Sequence, residues 1–314
     1  MAAGRKLRRL CFVRRLCFVR RLCFVRACSF VRRLCFVRCP SQNAKIIVAV
    51  SGVQSDGSAY RMSKTGDHNA AIWQIAHTAT RARRQDLLAS LVQQHGWGVQ
   101  SGPFAGMVLP DRASWGDGDL LPKLLGSYEA ELHTVIEEIV AATPDLIVNV
   151  GAAEGYYAAG MAQRLPGAFV HAFDTEAKSQ DICREAAGLN DVSRRVSVTG
   201  QCTPDLLQAI VPRGRTPVVI CDCEGYERTL IDPQRVPALR TAMLVVECHD
   251  FIDASITQTL VDRLSGTHTL EGIREGGRDP NAMPFLQGFD SLDRWLAVCE
   301  YRPTMMHWIV ARPK

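Results

Sequence analysis

A doubly wound α/β sheet is what this 314-residue sequence predicts, and three observations carry the expectation. From residue 130 onward, apolar segments of strand length alternate with segments of helical pattern. The first apolar segment runs into a glycine turn, Gly151-Ala152-Ala153-Glu154-Gly155, and then into a small-residue helical pattern. The second ends on an acid, Asp174, 23 residues after Gly151.

The strand segments are 145 to 150 (DLIVNV), 168 to 173 (AFVHAF), 196 to 199 (VSVT), 217 to 221 (PVVIC) and 243 to 248 (MLVVEC), all of strand length with β-branched content. Helical patterns fall between and after them, at 155 to 165, 176 to 189, 203 to 211, 226 to 232 and 253 to 264. A helix rich in Glu, Leu and Ile at 128 to 142 precedes the first strand, and 268 to 274 and 306 to 312 read as two further strands around a helix at 290 to 299. Upstream, 45 to 50 (KIIVAV) reads as a short strand, 68 to 94 as a helix, and 100 to 119, rich in Gly, Pro and Asp, as loops. The expected organisation is therefore an extension over 1 to 43, an accessory segment or cap over 44 to 126, and the sheet domain over 127 to 314.

The extension is a tandem repeat. Leu-Cys-Phe-Val-Arg occurs at 10 to 14, 16 to 20, 22 to 26 and 34 to 38, with a degraded copy at 28 to 32. A step of six residues turns each copy about 240° from the last on a helix, so no apolar stripe forms. On a strand, each face would mix Arg with apolar residues. Its apolar runs of four residues are far short of the roughly 20 that span a bilayer. The repeat is thus expected to have no fold of its own.

Charge divides the same way. Residues 1 to 39 carry 12 Lys and Arg and no acid, leaving 25 basic against 32 acidic residues in the remainder, a net of −7. An acidic body with no nucleic-acid reader motif excludes specific nucleic-acid binding as an expectation. Six of the 12 cysteines lie in the repeat, and with no secretory signal the rest are expected as reduced thiols in the cytoplasm. Cys221, Cys223, Cys248 and His249 contain no C-x-x-C pair, so no metal is expected.

In an open α/β sheet a ligand sits beyond the carboxyl ends of the strands, where the first strand turns into its helix. Gly151 and Gly155 would let the backbone approach that ligand closely. A dinucleotide reader would show G-x-G-x-x-G beneath a pyrophosphate. Here the spacing is G-A-A-E-G, and the Glu154 carboxylate would repel a pyrophosphate but suit a ligand with an ammonium and a sulfonium. S-adenosylmethionine is such a ligand, and Asp174 stands where an acid accepts hydrogen bonds from ribose hydroxyls. Asp174 also fits an ordinary helix cap.

An ordered series of motifs adds a family resemblance. GSYEAEL at 126 to 132, NVGAAEGYYA at 149 to 158, AFD at 172 to 174, CDCEGYE at 221 to 227 and VVECHDF at 245 to 251 resemble the motif series of FkbM-type class I methyltransferases. The resemblance implies a Rossmann-like sheet of seven strands with an antiparallel last strand, and S-adenosylmethionine as cofactor. It implies a cofactor-binding set of Glu129, Asn149, Gly151, Ala152, Glu154, Gly155, Asp174, Gln201 and Asp222. At Asn149 the family usually has an acid; the amide still accepts a hydrogen bond from the methionine ammonium but offers no charge.

Methyl transfer to a hydroxyl requires the nucleophile in line with the sulfonium methyl and relieved of its proton. Asp222, after the fourth strand, is the expected base, and His249, after the fifth, the second candidate. The sequence thus predicts O-methylation of a small-molecule or sugar hydroxyl. Two other readings stand beside it: a methyltransferase-like domain that binds without turnover, and a nucleotide-dependent enzyme on the same sheet. The oligomeric state has no sequence signature here.

Overall fold

The computed structural model describes residues 34–38, 45–49, 67–211 and 217–314. The chain divides into two compact units, Met1–Met62 and Ser63–Lys314. In the first, β1 (Leu34–Arg38) pairs antiparallel with β2 (Lys45–Ala49). The last repeat copy, Leu34–Arg38, is thus a strand. Leu, Cys, Phe and Val suit a strand whose backbone finds a partner, even where neither face is wholly apolar. The earlier copies lie outside the described residues.

The second unit opens with the long helix α1 (Asp67–His95) and a loop region leading to α2 (Leu120–Leu125). A 3-10 turn, Ala130–Leu132, runs into α3 (His133–Ala142). Then come β3 (Leu146–Val150), α4 (Tyr156–Arg164), β4 (Phe169–Phe173), α5 (Ala177–Leu189), β5 (Val196–Thr199) and α6 (Pro204–Ile210). They are followed by β6 (Val218–Cys221), α7 (Glu227–Leu230), β7 (Met243–Glu247) and α8 (Ile256–Leu264). The chain finishes with β8 (His268–Arg274), α9 (Ser291–Ala297) and β9 (His307–Pro313).

The seven strands lie in the order β5-β4-β3-β6-β7-β9-β8, parallel except β9, which runs antiparallel to both β7 and β8. Strand order reverses between β3 and β6, and such a switch point opens a crevice at the strands' carboxyl ends. This is the Rossmann-like sheet that the sequence predicts, with the last strand antiparallel.

Alternation along the strands builds a core on each face. Leu146, Val148 and Val150 of β3 join Val219, Cys221, Leu260 and Leu264 on one side. Ile147 joins Val170, Ile220 and Val245 on the other. Asn149 is buried at the carboxyl end of β3, two residues beyond Ile147, and so takes the Ile147 face. That face also receives Leu87 and Leu91 of α1, Met107, and Leu121 and Leu124 of α2. No compact-unit boundary therefore falls at residue 126, where the sequence reading divided accessory segment from sheet domain. Truncating one such leucine to alanine is expected to cost about 2 to 5 kcal/mol.

Candidate functional site

The turn after β3 is tied down on both sides. The Gly151 and Ala152 N–H groups both donate to Phe173 O at 2.9 Å, and the Asp222 N–H donates to Val150 O at 2.9 Å. Gly151 has φ +81° and its missing Cβ would lie 1.6 Å from Asp222 O; Gly155 has φ +84° and its Cβ would lie 3.0 Å from Cys183 Sγ. Both glycines are thus demanded by protein packing, where the sequence reading assigned them to ligand approach.

Beyond the turn is a cleft of about 350 Å³, counting its open mouth, lined in part by Asn149, Gly151, Ala152, Glu154 and Asp222. Five residues of the expected cofactor set thus meet there. Lys123, Tyr128, Tyr156 and Tyr157 line it too. Asn149 Oδ1 and Tyr156 Oη are buried without a hydrogen-bond partner. The tyrosine rings form an edge-to-face chain, with Tyr128 to Tyr156 and Tyr156 to Tyr157 both at 5.5 Å between centroids.

Glu154 is not free to meet a ligand's charges, as the glycine-turn argument expected. Its buried carboxylate accepts from Ser114 N at 2.8 Å, Ser114 Oγ at 2.6 Å and Lys123 Nζ at 2.9 Å. Burial pushes this carboxyl up, but Lys123 and Ser114 outweigh it and hold it below the usual range. Burial likewise pulls the Lys123 ammonium down, and Glu154 and Asp119 more than reverse that. The partners come from residues 114 to 123, a loop and short helix whose pairing no local pattern announces.

Glu129 is engaged as well. It accepts from Tyr157 Oη and from Arg302 at 2.9 Å, while Arg302 also binds Glu247 and, at 3.0 Å, Glu300. Burial, then the charges of Asp222 and Glu129, push the Glu247 carboxyl well up against the pull of Arg302. Asp174 accepts from Ala153 N through Oδ2 and from Glu176 N through Oδ1, both at 2.9 Å. It therefore clasps the glycine turn to the start of α5, and each oxygen keeps a second lone pair. Gln201 is exposed in the loop after β5. Glu129, Gly155, Asp174, Gln201 and His249 are not among the cleft-lining residues.

Asp222 and His249 come together. His249 Nε2 lies 3.4 Å from Asp222 Oδ1 and 3.5 Å from Glu224 Oε2, and Nδ1 lies 2.9 Å from Glu227 Oε1. Partial burial, with the charges of Glu129 and Glu224 adding to it and His249 and Arg302 opposing, raises the Asp222 pKa. For His249, burial lowers the imidazolium's pKa, but the carboxylates of Glu227, Asp222 and Glu224 win and raise it. The arrangement can hold a proton, or another cation, between the ring and the carboxylates.

Lys123, Tyr128, Tyr156, Tyr157 and Arg302 had no role in the sequence reading. Tyr128, Tyr156 and Tyr157 lie inside its quoted motifs, so those three were within reach of it.

Comparison with protein-family models and with curated proteins returns no match. Solved structures do match. The O-methyltransferase TomG from Streptomyces achromogenes, in complex with S-adenosylmethionine, is 15% identical over 60% of this chain and 81% of that one, TM-score 0.41. An O-methyltransferase from Bacillus cereus, in complex with S-adenosylhomocysteine, is 13% identical over 74% and 91%, TM-score 0.38. A precorrin-6y C5,15-methyltransferase from Geobacter metallireducens is 13% identical over 56% and 88%, TM-score 0.37. At these values the fold rests on the strand order itself. Among the described residues, no helix is long and apolar enough to cross a membrane.

Proposed function

We propose that this chain is an S-adenosylmethionine-dependent methyltransferase of FkbM type, acting on a hydroxyl of a small molecule or sugar. The observation that carries the reading is Asn149 Oδ1, buried without a partner at the cleft. An unpaired buried acceptor costs about 1 to 3 kcal/mol. The methionine ammonium is a donor that fits it. Asp174 would take the ribose hydroxyls on its remaining lone pairs. Glu129 and Glu154, already paired with Arg302 and Lys123, keep the walls in place.

Bound there, the cofactor would supply an electrophilic methyl group. The chain's own part is to hold the acceptor hydroxyl in line and take its proton. Asp222 is the first choice for that base because it lines the cleft. His249 Nε2 lies beside it, 3.4 Å from Asp222 Oδ1. Six free cysteines among the described residues fit a reducing, cytoplasmic setting.

Calorimetry with S-adenosylmethionine, S-adenosylhomocysteine and NAD tests the reading. The first two should bind and NAD should not. Asn149→Leu should weaken S-adenosylmethionine at least tenfold while leaving the free protein as stable or more so, because it removes the orphaned oxygen. Preferential NAD binding, or unchanged affinity in Asn149→Leu, would sink it.

A further inference from the structure

We propose that Asp222, Glu224 and His249 form a divalent-cation site at the carboxyl ends of β6 and β7. Among the described residues, this is a group of three whose ligand atoms all lie within 4.8 Å of one another. His249 follows β7 by two residues, and Asp222 and Glu224 sit in the turn after β6.

The distances favour a shared cation over a direct bond. An N–H···O hydrogen bond spans roughly 2.7 to 3.2 Å, whereas Nε2 stands 3.4 Å from Asp222 Oδ1 and 3.5 Å from Glu224 Oε2. Ligands bound at about 2.1 Å with angles between 90° and 109° lie about 3.0 to 3.4 Å apart. The two contacts sit at the upper end of that bite, and a small rotation of an exposed Glu224 closes it.

The histidine is also prepared as a ligand. Its side chain is only 4% exposed, and Nδ1 is held at 2.9 Å by the fully buried Glu227. Glu227 itself is fixed by the Cys223 N–H at 2.9 Å. A carboxylate on Nδ1 sets the tautomer that turns the Nε2 lone pair outward, the arrangement that orients metal-binding histidines. That lone pair then points at two carboxylates. Neither Asp222 nor Glu224 has a Lys or Arg partner within 4 Å among the described residues; their ionic contact is His249.

One imidazole with two carboxylates suits Mn²⁺, Fe²⁺ or Zn²⁺. The side chains of Asp222 and Glu224 are 40% and 75% exposed, which leaves coordination positions for water or an acceptor oxygen. The cysteines near this turn are not the ligands. Cys223 instead contacts Cys221, Sγ to Sγ at 3.4 Å, and the ligands are oxygens and a nitrogen. Because Asp222 also lines the cofactor cleft, a hydroxyl on the cation would sit beside it. That last role rests on the methyltransferase reading, while the cation site does not.

Mn²⁺ binding to the full-length chain, followed by calorimetry and electron paramagnetic resonance, tests the site. One Mn²⁺ should bind, with nitrogen coupling from a single imidazole. Glu224→Gln, an exposed change that spares the fold, should weaken it at least tenfold. His249→Gln should remove the nitrogen coupling, and Glu227→Gln should weaken binding 10- to 100-fold at unchanged stoichiometry. No binding of Mn²⁺ or Zn²⁺ at millimolar concentration, or binding indifferent to Glu224→Gln and His249→Gln, would overturn the proposal. S-adenosylmethionine affinity measured on the same samples separates failure of this site from failure of the methyltransferase reading.

Discussion

Lys123 Nζ lies 2.9 Å from Glu154 Oε2 and 4.6 Å from the centre of the Tyr128 ring. The chain thereby supplies its own cation to the acid at the start of the glycine-turn helix. The loop before α2 closes round the same carboxylate, for a Cβ at Gly118 would lie 2.5 Å from Glu154 Oε1. Glu154 is thus a clamp between the 114–123 segment and the sheet, and the negative wall left for a ligand is Asp222.

A double-mutant cycle checks that division of labour. Glu154→Gln and Lys123→Met should each cost about 3 to 5 kcal/mol in denaturant unfolding, because each strands a buried charge. The double variant should recover most of that loss. S-adenosylmethionine affinity of the double variant should stay within threefold of wild type. A tenfold loss would mean that Glu154 contacts the cofactor after all.

Asp174 serves two purposes that substitution can separate. Asp174→Ala removes the acceptor for the Ala153 and Glu176 N–H groups, so it should lower stability by about 1 to 3 kcal/mol as well as affinity. Asp174→Asn keeps one acceptor oxygen and should lose less of both. If the carboxylate binds ribose hydroxyls, S-adenosylmethionine affinity should fall tenfold or more in the alanine variant, on the scale of about 1.4 kcal/mol per factor of ten. Affinity unchanged in a folded Asp174→Ala protein rules out the ribose role.

Asp222→Asn, compared with wild type in metal-free buffer so that the cation site plays no part, tests the base. The amide keeps shape and polarity but takes no proton, so turnover should fall by about 10² to 10⁴ with S-adenosylmethionine binding little changed. Full turnover in both Asp222→Asn and His249→Gln would assign the rate to positioning alone.

How much of this was legible in the sequence follows from the range of the interactions. The strands of the sheet fall within one residue of their expected spans, because parallel strands buried on both faces are near-continuous apolar runs. All five residues of β3 are buried. Asn149 and Asp222 stand out locally, as polar residues at the ends of such runs. The clamp does not, since Lys123 lies 31 residues from Glu154, and Arg302 lies 173 residues from Glu129. Such pairs are made by the fold, and neither partner carries a spacing that names the other. Gln201 rests on the resemblance alone and is not among the residues that line the cleft.

The division into two units predicts that a chain starting at Ser63 folds without the segment before it. Its thermal transition should remain single and cooperative, and its S-adenosylmethionine affinity should match the full chain. Insolubility of that shorter protein, or loss of binding, would show that the repeat-bearing unit supports the sheet.

Asp119 gives the fold a definite pH dependence. Its side chain is buried in a left-handed turn residue, φ +48°, with Arg84 at 3.2 Å. Burial is the largest influence and, with the nearby Asp117 charge, pushes it up to about 7 against the pull of Lys123 and Arg84. The folded value thus lies above the unfolded one of about 3.9. Between these values the native state binds the extra proton, so stability is greatest below about pH 4 for this group and declines as pH rises toward 7. The steepest slope is about 1.4 kcal/mol per pH unit. Asp119→Asn mimics the protonated form and tolerates the left-handed backbone. Denaturant unfolding of wild type minus variant should therefore show a stability gap in the variant's favour that widens from pH 4 to pH 7 and levels off above about pH 8. A gap that is flat with pH, or one that widens toward acid, would mean that Arg84 and Lys123 keep Asp119 ionised throughout.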